Sequence, residues 1–311
     1  MINNKRKYAV YGFIIFLIFA INSVMYSDIL IDELKVKYSN EFSNFIDIDG
    51  MQVHYSIEGE GMPIVLIHGT ASSLHTWNDW AEDLKKNYKV IRMDLPAFGL
   101  TGPNKNSDYT IENYTHFLEV FISKMKIDSM ILAGNSLGGN IAWNYTYKNP
   151  EKVKKLILLD ASGLVTNKPQ PWIFKMAKTP ILSSLLLYIT PMSIIEDNLN
   201  QVYDDDTKIS QKLVTRYHEM LLREGNRKAF ISRSKLDFKS SEAFKKDQLR
   251  NIQTPTLLIW GANDSWIPLD IGKRMDSLLP NSILVVIPNS GHVPMEENPK
   301  ESLKILKKFL N

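Results

Sequence analysis

Ile131-Leu132-Ala133-Gly134-Asn135-Ser136-Leu137-Gly138-Gly139 is an apolar run that ends in Gly-x-Ser-x-Gly and continues into a helical pattern over 137–148. Read as strand, sharp turn and helix, it holds Ser136 on the turn with its hydroxyl exposed. Strand and helix approach closely at such a turn, so the residues two before and two after the serine must be small; Gly134 and Gly138 meet that demand. The serine also stands at a helix amino terminus, where free N–H groups favour developing negative charge. The bare spacing is a weak signal. With a strand before it and a helix after, an ordinary Gly/Ser turn becomes the poorer reading.

On both sides of this turn, short apolar segments alternate with amphipathic ones. Phe45–Asp49 and Gln52–Ile57 flank Asp49-Gly50, a strong two-residue hairpin signal. Pro63–Ile67, Lys89–Met93, Ser129–Ala133, Lys155–Leu159, Thr256–Trp260 and Ile283–Ile287 are apolar, rich in Ile, Val or Leu, and bounded by turns. Segments of five or six such residues read as buried strands. Helical patterns fill 73–86, 110–126, 137–148, 269–279 and 299–310. This alternation predicts an α/β fold: a mostly parallel eight-stranded sheet with helices on both faces, entered through an antiparallel hairpin. The alternation breaks between Gly163 and Arg250, where no strand is evident and several helices are expected. The expected organisation is a core over 44–162 and 251–311, with a helical cap over 163–250 above the strand ends.

A serine hydroxyl needs a base before it can act as a nucleophile at neutral pH. Of six histidines (54, 68, 75, 116, 218 and 292), only His292 directly follows a late strand, in Ile287-Pro288-Asn289-Ser290-Gly291-His292. His54 lies in the hairpin, and His116 and His218 fall on helical patterns, positions that read as surface or packing. A carboxylate must fix the base's tautomer and stabilise the imidazolium. Asp264 lies just past the Thr256–Trp260 strand, and Asp160, also at a strand end, is its rival. The order Ser136, Asp264, His292 fits acyl transfer on a sheet of this kind. The oxyanion donors expected are the backbone N–H groups of Leu137 and of Thr70, with Ala71 as competitor; His68 reads as structural.

Composition excludes several other classes. With 44% hydrophobic and 23% charged residues, the chain has ample material for a core. Net charge is +3, and Lys5, Arg6 and Lys7 account for all of it, so no basic face for nucleic acid is expected. The absence of cysteine removes disulfides, thiolate metal sites and a thiol nucleophile. No metal or cofactor is expected. Tyr8–Ser27 comprises 20 residues without Asp, Glu, Lys or Arg, long enough to span a bilayer as a helix. The preceding basic cluster should stay cytoplasmic, which places the rest outside. Residues 1–27 therefore read as a basic tip and signal anchor, with 28–43 as a tether. The rival is a cleaved signal peptide, with secretion, for which Asn22–Ser27 offers only a poor cleavage site.

His68-Gly69, Asp94-Leu95-Pro96-Ala97-Phe98-Gly99, the serine turn, Asp264 and Gly291-His292 occur in an order that resembles the α/β-hydrolase superfamily over nearly all of 45–310. One departure is Ala97, where the family usually has glycine. Two subgroups are similar: membrane-anchored bacterial esterases and lipases, and the carbon–carbon bond hydrolases of aromatic degradation. The second group uses a cap arginine to bind a substrate carboxylate, and Arg216 lies in a similar context; its alternative is a cap salt bridge. That group usually carries Trp where this chain has Val293. A serine nucleophile argues against the dehalogenase and epoxide hydrolase branches. Trp172 heads an apolar cap stretch that implies contact with substrate. The resemblance implies hydrolysis of hydrophobic esters through an acyl-enzyme, with dienoate carbon–carbon cleavage as alternative and a catalytically idle binding protein as the contrasting class. It leaves oligomeric state open.

Overall fold

A computed structural model describes residues 6–13, 15, 25–236 and 242–311. Eight strands form one sheet: β1 (Ser43–Ile48), β2 (Met51–Glu58), β3 (Pro63–Ile67), β4 (Lys89–Met93), β5 (Met130–Asn135), β6 (Val153–Leu159), β7 (Thr256–Gly261) and β8 (Ser282–Ile287), in the order β1-β2-β4-β3-β5-β6-β7-β8. β1 and β2 pair antiparallel, β2 joins β4 antiparallel, and every later pairing is parallel. Asp49 and Gly50 have φ of 52° and 75°, the left-handed pair that a tight two-residue hairpin requires.

The strand period of two divides the core. Ile64 and Leu66 of β3, Val90 of β4 and Leu257 and Ile259 of β7 face one side, with Trp77, Trp80, Leu303 and Leu306 packed over them. Val65 and Ile67 of β3, Ile91 and Met93 of β4 and Leu258 and Trp260 of β7 face the other, against helices Ile111–Lys124, Leu137–Lys148 and Leu269–Leu278. A sheet buried on both faces needs apolar residues at every strand position, which is why these segments read as unbroken runs.

Between β6 and β7 lie helices Trp172–Lys178, Pro180–Leu185, Met192–Val202, Gln211–Leu222, Asn226–Ser234 and Glu242–Arg250, and no strand occurs among the described residues there. Residues 28–43 are more ordered than their mixed composition suggests. Ile31–Tyr38 is a helix, and side chains fix the segment to the cap: Arg227 Nη2 donates to Asp28 at 2.6 Å and Tyr38 Oη to Glu219 at 2.7 Å.

Among the described residues no helix is long and apolar enough to cross a membrane. Residues 14 and 16–24 of the expected anchor lie outside the described residues, so the expected transmembrane helix is not among the elements seen here. Residues 6–13 are helical, and Tyr8, Val10, Tyr11 and Phe13 are exposed.

Candidate active site

Ser136 follows β5 directly and takes φ 53° and ψ −113°, a backbone conformation that side chains disfavour. The surroundings hold it there. Its N–H donates to Leu159 O of β6 at 3.0 Å, and its carbonyl accepts from the N–H groups of Asn140 and Ser162. The glycines answer the close approach: a Cβ on Gly134 would stand 2.2 Å from Gly138 O, and one on Gly138 2.2 Å from Ile67 O. Both obstacles are backbone and cannot swing aside.

His292 comes from the loop after β8 and is fixed on two sides. Its N–H donates to Val202 O of the cap at 2.7 Å, and its carbonyl accepts from Asn135 Nδ2 at 2.9 Å. Asn135 thus ties the residue beside the serine to the histidine loop. The His292 Nδ1 stands 2.7 Å from Asp264 Oδ2, leaving Nε2 free for a serine proton. Asp264 is aimed by its own turn, its Oδ1 accepting from the N–H groups of Trp266 and Ile267 at 2.7 and 2.9 Å. All three side chains are buried.

Asp160, the rival acid, ends β6 on a positive φ of 43° and is fully buried. Its Oδ1 accepts from Gly261 N–H at 2.9 Å, while Oδ2 has no hydrogen-bond partner among the described residues. The ligating atoms of Asp160, Asp264 and His292 lie within 4.8 Å of one another. Burial, then the neighbouring Asp264 carboxylate, push the Asp160 carboxyl well above the ordinary range. Asp264 carries the bond to histidine, and Asp160 lies behind it. A cation could draw ligands from this cluster, yet Nδ1 and Oδ2 stand closer than the roughly 3.3 Å between two ligands of a tetrahedral zinc.

The expected oxyanion donors lie just beyond β3 and on the serine turn. The N–H groups of Thr70, of its competitor Ala71 and of Leu137 alike have no acceptor among the described residues, which leaves each open to an incoming acceptor. Thr70 and Ala71 both line the pocket, and Ala71 has φ 57°. His68 holds this loop from beneath: Nδ1 donates to Gly69 O at 2.7 Å and Nε2 accepts from Leu95 N–H at 2.9 Å. Burial lowers the His68 pKa, consistent with the neutral tautomer those bonds require.

A pocket of about 1010 Å³, its open mouth included, rises over Ser136 and His292. Cap residues Phe174, Leu186, Leu199 and Phe230 line it. Two expected contacts stand elsewhere. Trp172 packs against the large apolar cluster, half-buried, because Ile173 and Ala177 define the inner face of its helix. Arg216 pairs with Glu296, whose carboxylate also accepts from Tyr217 Oη at 2.7 Å. Tyr217 and Leu221, one turn apart, line the pocket in its place. Trp266 was not anticipated. Its ring centroid lies 5.7 Å from that of His292, and a Trp two residues beyond the acid carries no sequence signal for that role.

The family described as alpha/beta hydrolase fold matches residues 62–299. An uncharacterized hydrolase of Bacillus subtilis is 29% identical over 81% of this chain and 92% of its own. A 2-hydroxy-6-oxononadienedioate/2-hydroxy-6-oxononatrienedioate hydrolase of Pseudomonas putida is 28% identical over 84% and 92%. The crystal structure of a putative lipase from Acinetobacter baumannii superposes with a TM-score of 0.75 at 26% identity, over 86% of this chain and 90% of that one. With the matched family spanning strands β3 to β8, the serine turn and the histidine loop, the chain belongs to the α/β hydrolase fold family.

Proposed function

We propose that the protein is a serine ester hydrolase acting on hydrophobic esters, carboxylesterase- or lipase-like. The observation that carries this reading is the His292–Asp264 pair beside Ser136 at the base of a pocket lined mainly by apolar cap side chains. Ser136 Oγ attacks the ester carbonyl carbon while His292 Nε2 takes its proton, and the oxyanion is held by the Thr70 and Leu137 N–H groups. His292 returns the proton to the leaving alcohol. A water, deprotonated by His292, then attacks the acyl-enzyme and releases the acid and the free serine. None of these steps draws on a cofactor or on nucleic acid.

A second reading, carbon–carbon bond hydrolysis of a dienoic acid, is favoured by the Pseudomonas putida relative. Against it, Arg216 is engaged by Glu296 away from the pocket, and Val293 follows the histidine. We also propose that Tyr8–Ser27 anchors the chain, with the hydrolase outside the cytoplasm; the exposed apolar side chains of the helical residues 6–13 support this.

Turnover of p-nitrophenyl esters from acetate to palmitate, with Ser136→Ala as control, tests the proposal. Serine-dependent hydrolysis supports it, and the chain-length optimum reports on the pocket. Fluorophosphonate labelling of Ser136 without ester turnover directs attention to dienoates. Absence of both points to a binding protein on this fold.

A further inference from the structure

Helix Pro180–Leu185 and the turn after it have two unlike faces. Ser183 and Leu186 are buried, and Leu186 lines the pocket. On the outer side Ile181 is 77% exposed, Leu182 37%, Leu185 46% and Tyr188 58%. Met25, also exposed, joins them: it bridges Ile189, and Tyr26 N–H donates to Tyr188 O at 2.9 Å. Single exposed apolar residues are ordinary on a surface, but a cluster from two chain segments marks a contact site.

We propose that this cap face, formed by Ile181, Leu182, Leu185, Tyr188 and Met25, seats in the surface of a lipid bilayer. The inference rests on the anchor and ester readings above. The chain itself identifies the occupant. Tyr8–Ser27 has the length and polarity of a bilayer span, and its carboxyl end is fixed to the patch by the Met25 and Tyr26 contacts. A chain anchored through these residues holds the patch at the interface. Tyr188 has the amphipathic ring that membrane interfaces favour, and exposed Lys175 and Lys178 one helix earlier suit anionic headgroups. The element that carries the patch also supplies Leu186 to the pocket, so one wall of the substrate site is placed against the lipid.

The absence of native cysteine allows a clean test. In the full chain, Ile181→Cys, Leu185→Cys and, as control, Ile283→Cys each receive one polarity-sensitive fluorophore. Ile283 is 57% exposed on β8, at the opposite edge of the sheet from the hairpin. In phosphatidylethanolamine/phosphatidylglycerol vesicles, positions 181 and 185 should show blue-shifted emission and protection from aqueous iodide, and 283 neither. Equal behaviour at 181 and 283 in vesicle-bound protein overturns the proposal. So does a shift at 181 that vanishes on dilution with excess lipid, which would identify a second copy as occupant. Protein that does not float with vesicles overturns the anchor and the patch together. The double variant Ile181→Asp/Leu185→Asp should keep hydrolysis of a short soluble ester and lose about tenfold on an ester embedded in vesicles. If neither ester is cleaved by the parent protein the ester reading fails, while the fluorophores still report on the patch.

Discussion

The strand ends that carry Ser136 and the cap above them are held by different kinds of force. At the strand ends the backbone fixes geometry. Ser136 is pinned by its own N–H and carbonyl, Asp264 by two successive N–H groups, and Gly134 and Gly138 by the absence of room for a Cβ. In the cap, side chains from distant positions set the arrangement. Arg216 and Tyr217 meet Glu296, Glu297 Oε1 accepts from the N–H groups of Asp204 and Asp205, and Arg227 reaches back to Asp28. Backbone constraints leave short, fixed spacings in a sequence, whereas side-chain ties between distant residues do not. On the proposed reading the chemistry sits on the backbone-held half, and substrate selection on the half that can be rebuilt by exchanging partners.

The contrast is tested most severely at His292. His292→Ala should reduce ester turnover by at least about 10,000-fold with the fold retained, since the loop is also held through its main chain, by Val202 O and Asn135 Nδ2, in bonds that the substitution leaves in place. Loss of fold together with activity, seen by circular dichroism, would show that the side chain supports the loop and would remove the distinction. Arg216→Met asks the opposite question of the cap. It leaves the Glu296 carboxylate, only 9% exposed, without its cation and with tyrosine hydroxyls as its remaining side-chain donors. A stability loss of about 2 kcal/mol in urea, with ester KM little changed, is the expected result. Unchanged stability with impaired turnover of a dienoate would favour the carbon–carbon reading instead.

These two residues also mark how far the sequence could be read. The Gly-x-Ser-x-Gly spacing and the apolar runs follow from local geometry, and each assigned strand falls within one or two residues of its observed bounds. His292 and Asp264, which the structure pairs at 2.7 Å, are legible because each lies in the loop just past a strand end. A helical position alone does not say which way it faces: Ile173 and Tyr217, next in the chain to Trp172 and Arg216, take the inner positions, and Arg216 makes the cap salt bridge that was its alternative reading. The order in residues 28–43 was hidden for the same reason, since its partners Arg227 and Glu219 lie nearly 200 residues away. Asp160 and Asp264 both lie past strand ends and compete in the sequence for one role, and the structure places the two side by side.

Asp160 bears on the comparison because it is a side-chain liability within the backbone-held half. Burial, and then Asp264, raise its pKa above the unfolded value of about 4. Between those two values the folded chain binds more protons than the unfolded one, so this group makes stability fall as pH rises from about 4 through the folded pKa. Asp160→Asn keeps an oxygen for Gly261 N–H and removes the titration. It should raise the melting temperature at neutral pH, by about 2–4 °C per kcal/mol recovered, and flatten its decline above pH 4. An identical slope in both proteins would mean that Asp160 is ionised in the native state.

Ala97 provides the smallest and most local test. It stands where the family usually has glycine, and the turn forms regardless: φ is 83°, with the Ala97 N–H donating to Gly102 O at 2.7 Å. An L side chain in that region is strained, whereas glycine adopts it freely but loses more entropy on folding. The two effects oppose each other, and strain is the larger. Ala97→Gly should stabilise the protein by about 0.5 kcal/mol without altering turnover, because the turn meets the His68 loop through Leu95 N–H, the Phe98 ring and Asp94, and Ala97 itself makes none of these contacts. A change in turnover would show that the 94–102 turn tunes the loop after β3 through His68 and Asp94, and the backbone-held half would then extend beyond the strand ends.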